Sequence, residues 1–545
     1  MKRVTLLLVL LMVFFTIPVA KAQDSKTITV SWLQEPDSLN PMYTTMTFSA
    51  YTYQLFLTGA WTLDASLNPV PVLVEEIPST DNGGISEDGT TFTLKLKEGM
   101  VWSDGDPLDS ADFLFTYDMV LSEQNAPVST SPWDRIASVE APDELTVVIT
   151  FDEPYAPWLG LFSYVLPEHV LRPVFEDEGT LDTAEYNLNP TVGNGAYVLE
   201  TWDYGNFARF VKNENFVGGV ANIDTIIVTF VPDDQTYVAN LLNGSSDLGT
   251  FVAASDVPEL EAAGLSVEII PSGYNEGWYL NVDPELAHPA MQDVLVREAI
   301  ALAFDRQSVV EDLLLGVLPA GASWWENTPY ANPDLDPVAY DPDRARELLD
   351  EAGWVVTGDP VVEGGDGLRS KDGVDLVLRF ATNTRQIRRD IQAVAQQQLG
   401  LVGIEVQLEN YESNVFFNGY ADGGPVATGQ YDIAEWSGAP DTFPDPDTSR
   451  FTCADIPSEE TLSGGNWNYY CNPELDELIA QQIVETDYEA RIALWNQIDE
   501  IIYNDYVWIG VWHDADIWVV GSSLVNANIN GVYPFWDVVN WDIAG

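Results

Sequence analysis

The chain has 545 residues, 86 of them acidic and 22 basic, for a formal net charge of −64 at neutral pH. That balance repels a phosphate backbone at nearly every face and excludes nucleic acid as a partner. Hydrophobic residues make up 46% of the chain, so the composition describes an acidic solvated surface around real cores, not disorder, and the length calls for two or more domains.

Met1-Lys2-Arg3 leads into an apolar run from Val4 to Val19, which stops at Ala20-Lys21-Ala22. A basic start, a short apolar stretch and small residues before a cleavage point make residues 1–22 a signal peptide, with the mature chain beginning near Gln23. No cysteine lies near position 22 to carry a lipid, and no later stretch is long and apolar enough to span a bilayer. The expected location is periplasmic or extracellular, in soluble form or associated with a transporter.

Lys26 to Trp32 reads as a strand, ended by the turn Pro36-Asp37-Ser38-Leu39-Asn40-Pro41. Phe92 to Leu96 alternates apolar and polar residues as a second strand. Asp109 is placed to cap a helix, with Asp112 three residues on and Phe113, Tyr117, Val120 and Leu121 along one face. Thr146 to Phe151, Ala196 to Leu199, Phe207 to Lys212 and Ile226 to Phe230 follow as strands. From Leu295 through Ala299, Leu302 and Val309 the apolar spacing becomes helical as far as Leu313, with Gly316 as a stop. Asp341-Pro342 opens a helix through Leu348 and Leu349 that ends at Gly353. Asn472-Pro473 opens another, and Ile492, Trp495 and Ile498 mark a third. Strand formers return at Val507, Trp508, Ile509 and Val511, so residues 505–545 can rejoin the first sheet.

The two cysteines, Cys453 and Cys471, share one loop-rich stretch. In an oxidising compartment they are expected to form a disulfide, the alternative being two unrelated free thiols. The three histidines, His169, His288 and His513, are far apart and show no metal-type spacing. There is no Gly-x-Ser-x-Gly elbow, and carboxylates are so abundant that any pair would match a glycosidase by chance. The Asp81, Asn82 and Asp88 group, and the Asp441, Asp445 and Asp447 group, do not fit a calcium loop and read as turns. No enzyme, cofactor or metal is therefore expected, and a secreted hydrolase ranks last among the functional readings.

Several segments in a fixed order resemble one family. They include Glu35-Pro36-Asp37-Ser38-Leu39-Asn40-Pro41 and Trp102-Ser103-Asp104-Gly105-Asp106-Pro107-Leu108. Gly193-Asn194-Gly195-Ala196-Tyr197, Val296-Arg297-Glu298-Ala299-Ile300, Tyr340-Asp341-Pro342-Asp343-Arg344-Ala345 and Cys471-Asn472-Pro473-Glu474-Leu475-Asp476 follow. Together they are similar to the family 5 extracellular solute-binding proteins of ABC importers, the group that includes oligopeptide and dipeptide receptors.

The resemblance implies an α/β, two-lobed, periplasmic-binding-protein-like fold with an inserted subdomain. The first lobe would hold residues 23–54, 188–276 and 505–545, the subdomain 55–187 and the second lobe 277–504. It also implies a monomer that captures a peptide and passes it to the permease subunits of an importer, with an oligosaccharide as the alternative solute. Its layout points to Tyr51, Tyr53, Trp436 and Asp441 as ligand contacts. The family often carries an aspartate shortly after a tryptophan, ahead of an Asp-Pro turn, and Asp441 is the nearest counterpart here.

Overall fold

The computed structural model describes residues 25–44, 46–130, 132–326, 328–438, 448–462 and 464–544. The signal-peptide reading of residues 1–22 and the reading of Asp441 both lie outside these residues. Among the described residues no helix is long and apolar enough to cross a membrane.

One ten-stranded mixed sheet organises the molecule. In chain order its strands are β1 Thr27–Trp32, β2 Tyr197–Asp203, β3 Phe207–Lys212, β4 Thr225–Phe230, β5 Leu248–Gly249, β6 Ser266–Leu280, β7 Val377–Asn383, β8 Glu405–Tyr411, β9 Ile433–Gly438 and β10 Trp508–Val520. Across the sheet they run β8-β7-β9-β6-β10-β5-β1-β4-β3-β2. β1 pairs in parallel with β4 and β5, and β7 pairs in parallel with β8 and β9. Helices supply the parallel crossovers: Asp234–Asn243 lies between β4 and β5, and Gln386–Leu401 between β7 and β8. The sheet middle is antiparallel, with β6 and β10 paired along most of their lengths.

The expected elements form where local chemistry specifies them. The Asp109 side chain accepts from Ala111 N and Asp112 closes a reciprocal capping box on helix Ser110–Leu121. Asp341 caps Pro342–Glu351, and Asn472 caps Pro473–Val484. The helical reading from Leu295 to Leu313 needs correction, because the segment is two helices, Val294–Leu302 and Arg306–Leu313. Asp305 causes the break: its carboxylate accepts from Ser308 N at 3.1 Å and Ser308 Oγ at 2.6 Å, starting a new helix.

Two large bodies of buried side chains meet at β6 and β10, each of which contributes residues to both. One joins Ile28, Val30 and Trp32 to Phe92, Phe113 and Phe162, and also to Trp518 and Trp541 from the end of the chain. Residues 55–187 thus share a core with β1, although Thr91–Lys95, Thr146–Phe151 and Ile136–Asp143 form a separate three-stranded sheet. The other body contains Trp278, Phe304, Leu348, Phe380 and Ile391, and next to it lies an aromatic cluster around Tyr279, Trp324, Trp436 and Trp495.

Cys453 and Cys471 are bonded, with their Cα atoms 4.6 Å apart. The bridge fixes the stretch leading to the Asn472 cap. Replacing both cysteines by serine is expected to cost about 3 kcal/mol of stability, the chain-entropy value for a loop of this size, measured by denaturant titration of oxidised protein.

Candidate functional site

The site grows from the paired strands β6 and β10. Residues 275–279 of β6 pair with 508–513 of β10, while residues 266–271 pair with 515–520. Between Pro271 and Asn275 the register shifts, and Ser272 and Tyr274 occupy the bulge. Ser272 Oγ donates to Asp514 O at 3.1 Å, and the Tyr274 ring is left exposed.

The other edge of β10 opens into a cavity. β5 pairs there only with Val519 and Val520, and segment 319–321 bonds only to Val511 and His513. Among the described residues, Asp514–Ile517 are left to line a cavity of about 790 Å³. It is also lined by Leu33, Tyr237 and Phe251–Asp256 from one part of the chain and by Leu313–Leu315, Leu318, Arg385 and Ile387 from another. Phe251 and Leu315 hold left-handed backbones, with φ of 62° and 57°, and both are exposed. Such strain costs of order 1–3 kcal/mol each and clusters at ligand-binding surfaces.

A second cavity of about 550 Å³ is lined by Ser66–Pro69, Leu159, Gly531 and Val532 together with Thr328, Pro329 and Tyr488. Its lining includes Ile270, the register partner of Asp516. The Tyr51 hydroxyl stands between the two spaces, 3.0 Å from Asp516 Oδ2 and 3.1 Å from Gly531 O.

The polar groups beneath the cleft are tightly organised. Arg388 binds Glu276 through two bonds of 2.7 and 2.8 Å, and both side chains are buried. Ser437 Oγ lies 2.6 Å from Glu276 and 2.8 Å from Asp514, whose other oxygen accepts from Trp512 Nε1 at 2.6 Å. Glu435, fully buried, accepts from Trp278 Nε1 at 3.0 Å; burial and the nearby Glu276 push its pKa far up. His513 joins Asn275 Oδ1 at 2.9 Å to Glu326 at 3.0 Å.

Asp516 is pushed up to about 7, first by burial and then by repulsion from Asp514, with the Tyr51 hydrogen bond acting the other way. Its folded pKa therefore lies above the unfolded value near 3.8. Between about pH 4 and pH 7 the folded state holds a proton that the unfolded state releases, so this group draws stability down as pH rises through that window. A tenfold difference in proton affinity between the two states corresponds to about 1.4 kcal/mol. Asp516→Asn is expected to flatten the fall in unfolding free energy between pH 4 and 7 and to stabilise the ligand-free protein at pH 8, read by urea titration at each pH.

The structure places the sequence-derived candidates in different settings. Tyr51 is buried and reaches the cleft through Asp516. Tyr53 is half-buried and lines a small space of about 50 Å³ with Tyr533 and Phe535, away from the main cavity. Trp436 is buried in the aromatic cluster, stacked on Tyr279 with ring centroids 3.4 Å apart. Asp514, Asp516, Phe251 and Arg385 are residues that the sequence reading did not single out. Two carboxylates at alternate positions of a strand that is apolar apart from His513, Asp514-Ala515-Asp516-Ile517, were the available signal.

Residues 68–455 match the family model described as bacterial extracellular solute-binding proteins, family 5 Middle. The oligopeptide-binding protein AppA of Bacillus subtilis is 25% identical over 542 residues, covering 96% of this chain and 93% of that protein. The glutathione-binding protein GsiB of Shigella dysenteriae is 26% identical over 525 residues, covering 92% and 90%. The ABC transporter substrate-binding protein CtaP of Listeria monocytogenes shares the fold, with a TM-score of 0.80, 20% identity and coverage of 96% and 100%. With the matched region spanning well over half its length, the chain belongs to the bacterial extracellular solute-binding proteins of family 5.

Proposed function

We propose that the protein captures a peptide outside the cytoplasmic membrane and delivers it, as a monomer without catalytic action, to the permease subunits of an ABC importer. The observation that carries this reading is the cavity of about 790 Å³ at the edge of β10, lined by residues from widely separated parts of the chain. Relatives that bind oligopeptides and glutathione support a peptide solute.

The lobe boundaries belong to this reading: 23–54, 188–276 and 505–545 in the first lobe, with 55–187 inserted, and 277–504 in the second. Two covalent crossings allow hinge closure without separation of the lobes. Closure excludes water, which strengthens each polar contact to the solute. In this reading Asp441 and the exposed rings of Phe251 and Tyr274 contact the ligand, whereas Tyr51 and Trp436 support the site from behind.

Sugar binding draws less support. Trp32, Trp102, Trp324, Trp325, Trp495 and Trp541 are fully buried and have no free face for a pyranose ring. Equilibrium titration of the mature protein with defined peptide and oligosaccharide mixtures tests the proposal. Saturable binding of a peptide is expected, and binding of oligosaccharides alone would overturn it.

A further inference from the structure

Asp516 is a buried carboxylate, 6% exposed, in the wall of the larger cavity. Its Oδ2 accepts the Tyr51 hydrogen bond. Among the described residues no lysine, arginine or histidine lies within ion-pair distance of either oxygen, and no donor reaches Oδ1. Its neighbour on the same strand face, Asp514, is held by Trp512 and Ser437. A carboxyl buried without a cation relieves the cost of its charge by keeping its proton, and a cation arriving from the cavity would take that proton's place.

The surrounding field has the sign to attract that charge. Asp234, Asp256 and Asp514 line the same cavity, and Arg385 is the one cation among the described lining residues. Tyr51 fixes the carboxylate in place. Its ring packs against Trp32 at 6.0 Å and Trp518 at 5.6 Å, so the hydroxyl holds Oδ2 and leaves Oδ1 for a partner from the cavity.

We propose that Asp516 selects the solute by charge, pairing with an ammonium or guanidinium group on the bound molecule, so that the preferred peptides are cationic at the position facing β10. Tyr51 acts as the positioning residue. The inference rests on the peptide reading above for the kind of molecule, but not for the sign of its charge.

The test titrates the mature protein with Ala-Lys-Ala and its norleucine isostere, each with a free and an acetylated amino terminus. Removing one of the two positive charges is expected to weaken binding at least tenfold in the native protein and less than twofold in Asp516→Asn. Tyr51→Phe keeps the carboxylate but loosens it, and is expected to cut the charge discrimination about threefold while the thermal midpoint confirms folding. Discrimination that survives in both variants, or is absent from the native protein, overturns the inference. Peptides bound without regard to charge would sink the charge proposal and leave the peptide reading standing. Spermidine or arginine amide bound in an Asp516-dependent manner, with every tripeptide refused, would do the reverse.

Discussion

Arg388→Gln is expected to destabilise the protein by about 3–5 kcal/mol, the cost of breaking a buried ion pair from one side. The substitution would strand Glu276, fully buried on β6, close to the second buried acid, Glu435. Burial alone would lower the Arg388 pKa, yet the attraction and hydrogen bonds of Glu276 raise it, so the guanidinium stays charged. Denaturant titration at pH 7 measures the loss. Glu276→Gln combined with Arg388→Gln should recover part of it, because both charges then leave the interior together. A loss below about 1 kcal/mol for Arg388→Gln would mean that water reaches Glu276.

Trp436→Ala is expected to cost about 3–5 kcal/mol through the cavity it leaves. Its ring stacks on Tyr279 at an interplanar angle of 5°, with Phe416 and Trp467 set edgewise against it at 6.2 and 5.6 Å. Arg450 lies over the Trp467 ring at 4.4 Å and extends the cluster. Trp436→Phe should retain most of the stability and the peptide affinity. A large fall in affinity for the phenylalanine variant, with stability kept, would instead make Trp436 a direct ligand contact.

The sequence was most legible where local chemistry is self-contained. Asp109, Asp341 and Asn472 announce helix starts that form as read, and Thr146–Phe151 and Phe207–Lys212 show the expected strand boundaries. The break at Asp305 is hidden in the sequence because the apolar spacing continues on either side of it, and only its bonds to Ser308 reveal it. β6 escaped notice for another reason. Pro271, Gly273 and Gly277 interrupt its pattern, and Asn275 and Glu276 are polar yet buried, satisfied by Trp324 O and Arg388 that lie far away in sequence.

The cleft was the least legible part, since it depends on long-range placement. Tyr51 meets Asp516 across 465 positions of chain, a contact that no local pattern encodes. The strand formers before Asp514 marked β10 as a strand, but its carboxylates acquire meaning only once one edge of that strand is left open.

The position of β10 also sets the order in which the molecule can be completed. This strand is made from residues 508–520, near the end of the chain, yet it lies inside the sheet between β5 and β6. Trp518 and Val520 finish the core around Trp32, while Ile509 and Trp512 finish the one around Trp278. A growing chain therefore lacks the middle of its sheet until residues 508–520 have been made, and neither body can close before then. Such contacts between distant residues make folding slow.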